Sequence, residues 1–95
     1  MDKETRDKSR GRIRRIAGQV AAIERMIEAD RYCVDVLLQV AAVRAALDGL
    51  GKVLLQSHVE HCVSEALATG REKDREVKLT ELMEVFSRFS KIGGR

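Results

Sequence analysis

The sequence predicts an all-α protein, and three observations predict it. The 95 residues contain no proline and only 3% aromatic residues, a composition that disfavours sandwiches and barrels and suits helices. Apolar residues recur at spacings of three and four, the helical period. Turn signals gather at two places only, Asp30-Arg31 and the stretch from Gly70. One domain, residues 1–95, is expected, with helices over about 5–29, 32–69 and 77–91.

In the first helix Ile13, Ile16, Val20, Ile23 and Ile27 form an apolar stripe that needs a partner, and Arg14, Arg15, Gln19 and Arg25 lie opposite. Gly18 inside it costs about 1 kcal/mol relative to Ala, so close packing or close approach to a ligand is expected there. The second segment keeps helical spacing through Val34, Leu37, Leu38, Ala41, Ala45, Leu50, Val53, Leu54, Val59, Val63 and Leu67. At 1.5 Å per residue it is about 55 Å long, so it must protrude or pair with another copy of itself. Gly70 is its expected stop, followed by a charged loop, Arg71 to Glu76. The third helix carries Leu79, Leu82, Met83, Phe86 and Phe89 on one face and is expected to pack on the other two, with residues 93–95 as a tail.

Apolar residues at 44% exclude disorder, and charged residues at 35% with no apolar run near 18 residues exclude a spanning helix. MDKETRDKSR lacks the apolar stretch of a signal peptide, so a cytoplasmic location is expected. With one Tyr, two Phe and no Trp, a lone chain builds a thin core, and oligomerisation is expected. The net charge of +3 is unevenly placed: residues 1–15 hold seven basic and three acidic side chains, and the remainder is slightly acidic. Such a cluster suits phosphate binding, although a solvated terminus has the same composition.

The chain has two cysteines and two histidines. His58 and Cys62 are i, i+4 and share a helix face, the spacing at which two ligands meet one metal. Cys33 lies 25 residues before His58, about 37 Å along a continuous helix. It can join them only across an antiparallel dimer, whose two-fold axis then passes near Ala45, Ala46 and Leu47. Two thiolates and one imidazole suit Cu(I), whereas Zn(II) wants a fourth ligand. His61 points about 100° away and is a poor fourth ligand. No nucleophile–base pair in a pocket is evident, so an enzyme is not expected.

These residues resemble the copper-sensitive operon repressor (CsoR) group. The likeness runs through Arg12-Ile13-Arg14-Arg15-Ile16-Ala17-Gly18-Gln19-Val20, Asp30-Arg31-Tyr32-Cys33-Val34-Asp35-Val36-Leu37, His58-Val59-Glu60-His61-Cys62-Val63 and Leu79-Thr80-Glu81-Leu82-Met83-Glu84-Val85-Phe86. The resemblance implies an antiparallel four-helix-bundle dimer assembling into a disc-like tetramer. It implies that the apo protein binds double-stranded operator DNA and releases it on binding Cu(I), derepressing copper efflux or resistance genes. Cys33 of one protomer with His58 and Cys62 of the other would ligate Cu(I), and Tyr32 and Glu81 would stand behind them, Glu81 accepting a hydrogen bond from His58. Arg12, with Arg14, Arg15 and Gln19, would face DNA, joined by phosphate contacts from Arg10 and Lys8.

The group's nickel, cobalt and zinc sensors add an N-terminal His or replace the second Cys, its formaldehyde sensors use an N-terminal Pro, and its persulfide sensors lack the ligand His. This chain matches none of these. It departs from the copper sensors in the loop 70–76 and in having Asp48-Gly49 where a basic residue is expected. Two alternatives stay open: a thiol- or persulfide-responsive repressor of the same fold, and a copper-binding helical protein without DNA binding.

Overall fold

The computed structural model describes the backbone of residues 1–93; side chains at positions 62, 63, 66, 69 and 89–93 lie outside the described residues. Everything described is helix and short turn. Helix α1 spans Lys3–Glu28, α2 Cys33–His58, a π-helical turn Val59–Val63, α3 Ser64–Thr69 and α4 Glu72–Gly93. No helix among the described residues is long and apolar enough to cross a membrane.

Helix α1 starts two residues before the expected position because Asp2 caps it. The Asp2 carboxylate accepts the Thr5 amide at 3.2 Å, which satisfies one of the orphan N–H groups of the first turn. At the other end Arg31 N–H donates to the Met26 carbonyl and Asp30 N–H to the Ile27 carbonyl, both at 3.0 Å. With Asp30 at φ 56°, this is a Schellman stop built on Asp instead of Gly. The short connection turns the chain back, and α1 and α2 form an antiparallel hairpin. Thr5 opposite Ser57 and Arg12 opposite Gly49 mark its register.

The second rod is continuous from Cys33 to Thr69 but not uniformly α. Ser64 N–H reaches the Val59 carbonyl, an i→i+5 bond that places one extra residue in the turn. Val59 N–H is meanwhile shared between the Leu55 and Gln56 carbonyls. The rod accounts for the long axis of a protomer measuring 57 × 29 × 15 Å.

Two expectations are corrected. The stretch read as a charged loop is helical from Glu72, because its residues are good helix formers and Glu72 and Asp74 favour the positive end of the helix dipole. Helix α4 packs on α2, the π turn and α3, with no contact to α1 among the described residues. Phe89 of its apolar face lies outside the described side chains.

The core of one protomer is very thin. Ile16, at 5% exposure, is its buried large hydrophobe among the described residues, while Val34, Leu37, Leu38, Leu47, Met83 and Phe86 stand open. The accessible surface is 7404 Å², against about 5,500 Å² for a compact monomer of this mass. The radius of gyration is 17.4 Å, against about 12 Å for a compact chain of this length. Gly18 is open within the single chain. A Cβ added there meets nothing within 4 Å, so no close packing inside the protomer explains it.

Candidate functional site

Cys33 is the first residue of α2 and its thiol is free and exposed. Tyr32, immediately before it, is the N-cap residue; its ring is exposed and makes no capping hydrogen bond. Its carbonyl instead accepts the Asp35 and Val36 amides, at 3.0 and 3.2 Å, which fixes the direction in which α2 leaves the hairpin.

His58 closes α2 at the end opposite Cys33, where the rod passes into the π turn. It is half-buried and borders two cavities. One, about 330 Å³, is lined by Gly51, Leu54, Leu55, His58 and Val85. The other, about 350 Å³, is lined by Met1, Asp2, Leu54, Ser57, His58 and His61. Cys62 lies four residues on, inside the π turn, and its side chain is outside the described residues. Among the described residues no three His, Cys, Asp or Glu side chains gather into a metal-holding group within one chain. His61 faces α1, with Nε2 3.7 Å from Asp2 Oδ1. Glu81 pairs with Lys78 on its own helix at 3.7 Å; Val85, one turn further on, lines the same cavity as His58.

Sequence reasoning missed the group that ties this tip together. Thr5 Oγ1 donates to Ser57 Oγ at 3.0 Å, and Ser57 Oγ donates to Asp2 Oδ1 at 3.2 Å. Both hydroxyl residues are buried, in a protomer that buries almost nothing else. Hydrogen bonding from Thr5 foremost, joined by Ser57 and the nearby His61, holds the Asp2 carboxyl down at about 2 against the opposing desolvation. Thr at N3 and Ser in mid-helix carry no sequence pattern that marks such a pairing. The one available signal was Asp2 followed by Glu4, a helix start.

The basic residues fall into distinct settings. Lys8, Arg10, Arg12, Arg14 and Arg15 are all exposed along the first half of α1. By helical register Lys8, Arg12 and Arg15 share a face, and Arg10 and Arg14 lie on another. The Arg12 guanidinium rests over Gly49, where a Cβ would stand 3.2 Å from Nη1. The position at which the sequence lacks an expected basic side chain is therefore where Arg12 gains room. Neighbouring Asp48 pairs with Lys52 at 3.3 Å, its other carboxylate oxygen buried without a partner. Gln19 differs from the arginines: it is half-buried, with Oε1 enclosed and unpartnered.

Known proteins share both the sequence and this architecture. The family described as metal-sensitive transcriptional repressor matches residues 5–88. The copper-sensing transcriptional repressor CsoR of Bacillus subtilis (strain 168) is 44% identical over 86 residues, 90% of this chain and 82% of that protein. The crystal structure of the copper-sensing repressor CsoR with Cu(I) from Geobacillus thermodenitrificans NG80-2 superimposes with a TM-score of 0.82 at 41% identity, covering 95% of this chain and 91% of that one. The nickel-responsive transcriptional regulator InrS superimposes with a TM-score of 0.71 at 38% identity, covering 87% of this chain and 90% of its own. A copper-sensing and a nickel-responsive protein thus share this scaffold. On the match across residues 5–88 and these identities, the chain belongs to the metal-sensitive transcriptional repressor family.

Proposed function

We infer that this protein is a cytoplasmic Cu(I)-sensing repressor that holds operator DNA in the apo form and releases it when Cu(I) binds. The observation that carries this reading is the placement of Cys33 and His58 at opposite ends of α2. Two antiparallel copies bring each Cys33 to the other's His58 and Cys62. The donors fit the ion: two thiolates and one imidazole form a soft, three-coordinate set that suits Cu(I), while square-planar Ni(II) would require further nitrogen donors and the N-terminal segment carries no His to supply them. Likeness to copper-sensing relatives points the same way.

The basic half of α1 supplies phosphate contacts, repeated across the copies of a dimer or tetramer, and release follows if Cu(I) favours a conformation with poorer DNA contacts. In this reading His58 links the metal to α4, with Glu81 and Tyr32 acting behind the ligands. The lining of the His58 cavity by Val85 of α4 supports that link.

The test is anaerobic Cu(I) titration followed by fluorescence anisotropy of a duplex that the apo protein selects from a random library. Wild type is expected to bind that duplex with a steep salt dependence and to lose it on adding Cu(I). Cys33→Ala is expected to bind DNA and ignore Cu(I). His58→Ala is expected to bind Cu(I) through the thiolates without releasing DNA. Salt-independent DNA binding, or release by His58→Ala equal to wild type, contradicts the reading.

A further inference from the structure

The buried polar side chains among the described residues, Thr5 and Ser57, are neither proposed ligands nor proposed DNA contacts, yet they join the elements that carry them. Ser57 immediately precedes His58 on α2, and Thr5 lies in the first turn of α1, one turn before Lys8. We propose that the Asp2–Ser57–Thr5 clamp is the element that carries a movement of the His58 segment to the basic half of α1. The proposal rests on the Cu(I)-responsive reading above and names the positioning residues through which it works.

Three features favour the clamp over the rest of the α1–α2 contact. Ile16 is the buried large apolar side chain of the hairpin among the described residues, and apolar faces slide over one another at little cost because dispersion is non-directional. Hydrogen bonds are directional and weaken steeply when bent or stretched, so the bonds at 3.0 and 3.2 Å hold two helices in one register. The clamp is also doubly anchored. Asp2 Oδ2 accepts the Thr5 amide while Oδ1 accepts the Ser57 hydroxyl, so the group that starts α1 is the group that fixes it to α2. Finally, the cavity of about 350 Å³ lined by Asp2, Ser57, His58 and His61 leaves open space beside the clamp. His58 can turn there toward a ligand without first displacing packed side chains.

Ser57→Ala removes both interhelical bonds and leaves the Asp2–Thr5 cap in place. Ser57→Thr restores the hydroxyl. For each protein three quantities are read: Cu(I) affinity, the ratio of apo to Cu(I)-loaded affinity for the selected duplex, and Cu(I)-induced change in amide hydrogen exchange over Thr5 to Arg10, with circular dichroism to check helicity. For Ser57→Ala the expected result is Cu(I) affinity within about threefold of wild type and an affinity ratio reduced about tenfold, the weight of one charge-assisted hydrogen bond. Its exchange over Thr5 to Arg10 should no longer respond to Cu(I). Ser57→Thr should recover both responses. If Ser57→Ala keeps the wild-type ratio and exchange response, the clamp is only structural and the proposal is overturned. If Ser57→Ala fails to fold, Thr5→Val carries an expectation of the same sign but smaller size, a ratio reduced about threefold, because it removes only the neutral Thr5–Ser57 bond; an unchanged ratio there overturns the proposal. Wild type that neither binds Cu(I) nor releases DNA overturns the Cu(I) reading itself, and the clamp falls with it.

Discussion

Single side chains at the α1–α2 contact decide how the basic residues are presented. Gly49 is the clearest example. Alanine there brings a Cβ to 3.2 Å from the Arg12 guanidinium, but the atom it meets is the far end of a flexible side chain and can move. Helix propensity favours Ala by about 1 kcal/mol. Gly49→Ala should therefore raise the Tm by a few degrees while weakening apo DNA binding several-fold through the displaced Arg12. Calorimetry and anisotropy on the same sample check both. Asp2 gives a second expectation. Its carboxyl is held at about 2, below the ordinary 3.8, chiefly by hydrogen bonding to Thr5. A depressed carboxyl contributes stability that is fully present above the unfolded value and is lost as pH falls through the folded one. Asparagine keeps a capping oxygen but does not titrate. The stability difference between wild type and Asp2→Asn, measured by denaturant melts, should be constant above about pH 5 and shrink as pH falls from about 4 toward 2.

Among the elements, the hairpin closure shows what turn chemistry contributes. Asp30 occupies a left-handed conformation at φ 56° that costs an L-residue roughly 1–2 kcal/mol, less for Asp than for most. Asp30→Gly should stabilise the protein by up to about 1 kcal/mol, readable as a higher midpoint in a urea melt with unchanged slope. Helix identity was legible throughout, because the stripes from Ile13 to Ile27 and from Val34 to Leu67 leave no other period available. Boundaries were less so. The residues from Glu72 to Glu76 look like a loop when counted as charge and like a helix when counted as propensity, and, exposed as they are, propensity and the helix dipole decided for helix. The π turn left no clear mark in the pattern, since Val59, Val63 and Leu67 around it keep the four-residue spacing of an ordinary helix. For the site, Cys33 and His58 could be picked out because thiols and imidazoles are scarce here and chemically distinctive. The clamp could not, because Ser and Thr serve equally well in solvent and only three-dimensional register pairs positions 5 and 57.

The whole protomer explains why a second copy belongs in the picture. A plank of 57 × 29 × 15 Å with Leu37, Leu38, Leu47 and Phe86 open to solvent exposes more apolar surface than a stable monomer of this size retains. Folding and association should therefore be one transition, and the Tm should rise with protein concentration. A Tm independent of concentration over a hundredfold dilution contradicts that expectation. Shared ligation across the interface is tested most directly with mixed subunits. Cys33→Ala and Cys62→Ala chains, each unable to complete a site with its own kind, are unfolded together, refolded and separated by tag. In the hybrid dimer one site regains Cys33 from one chain and His58 with Cys62 from the other. X-ray absorption on the anaerobic hybrid should show one Cu(I) per dimer with two sulfurs and one nitrogen. A hybrid that binds no more tightly than either parent contradicts a site built from both ends of two antiparallel rods.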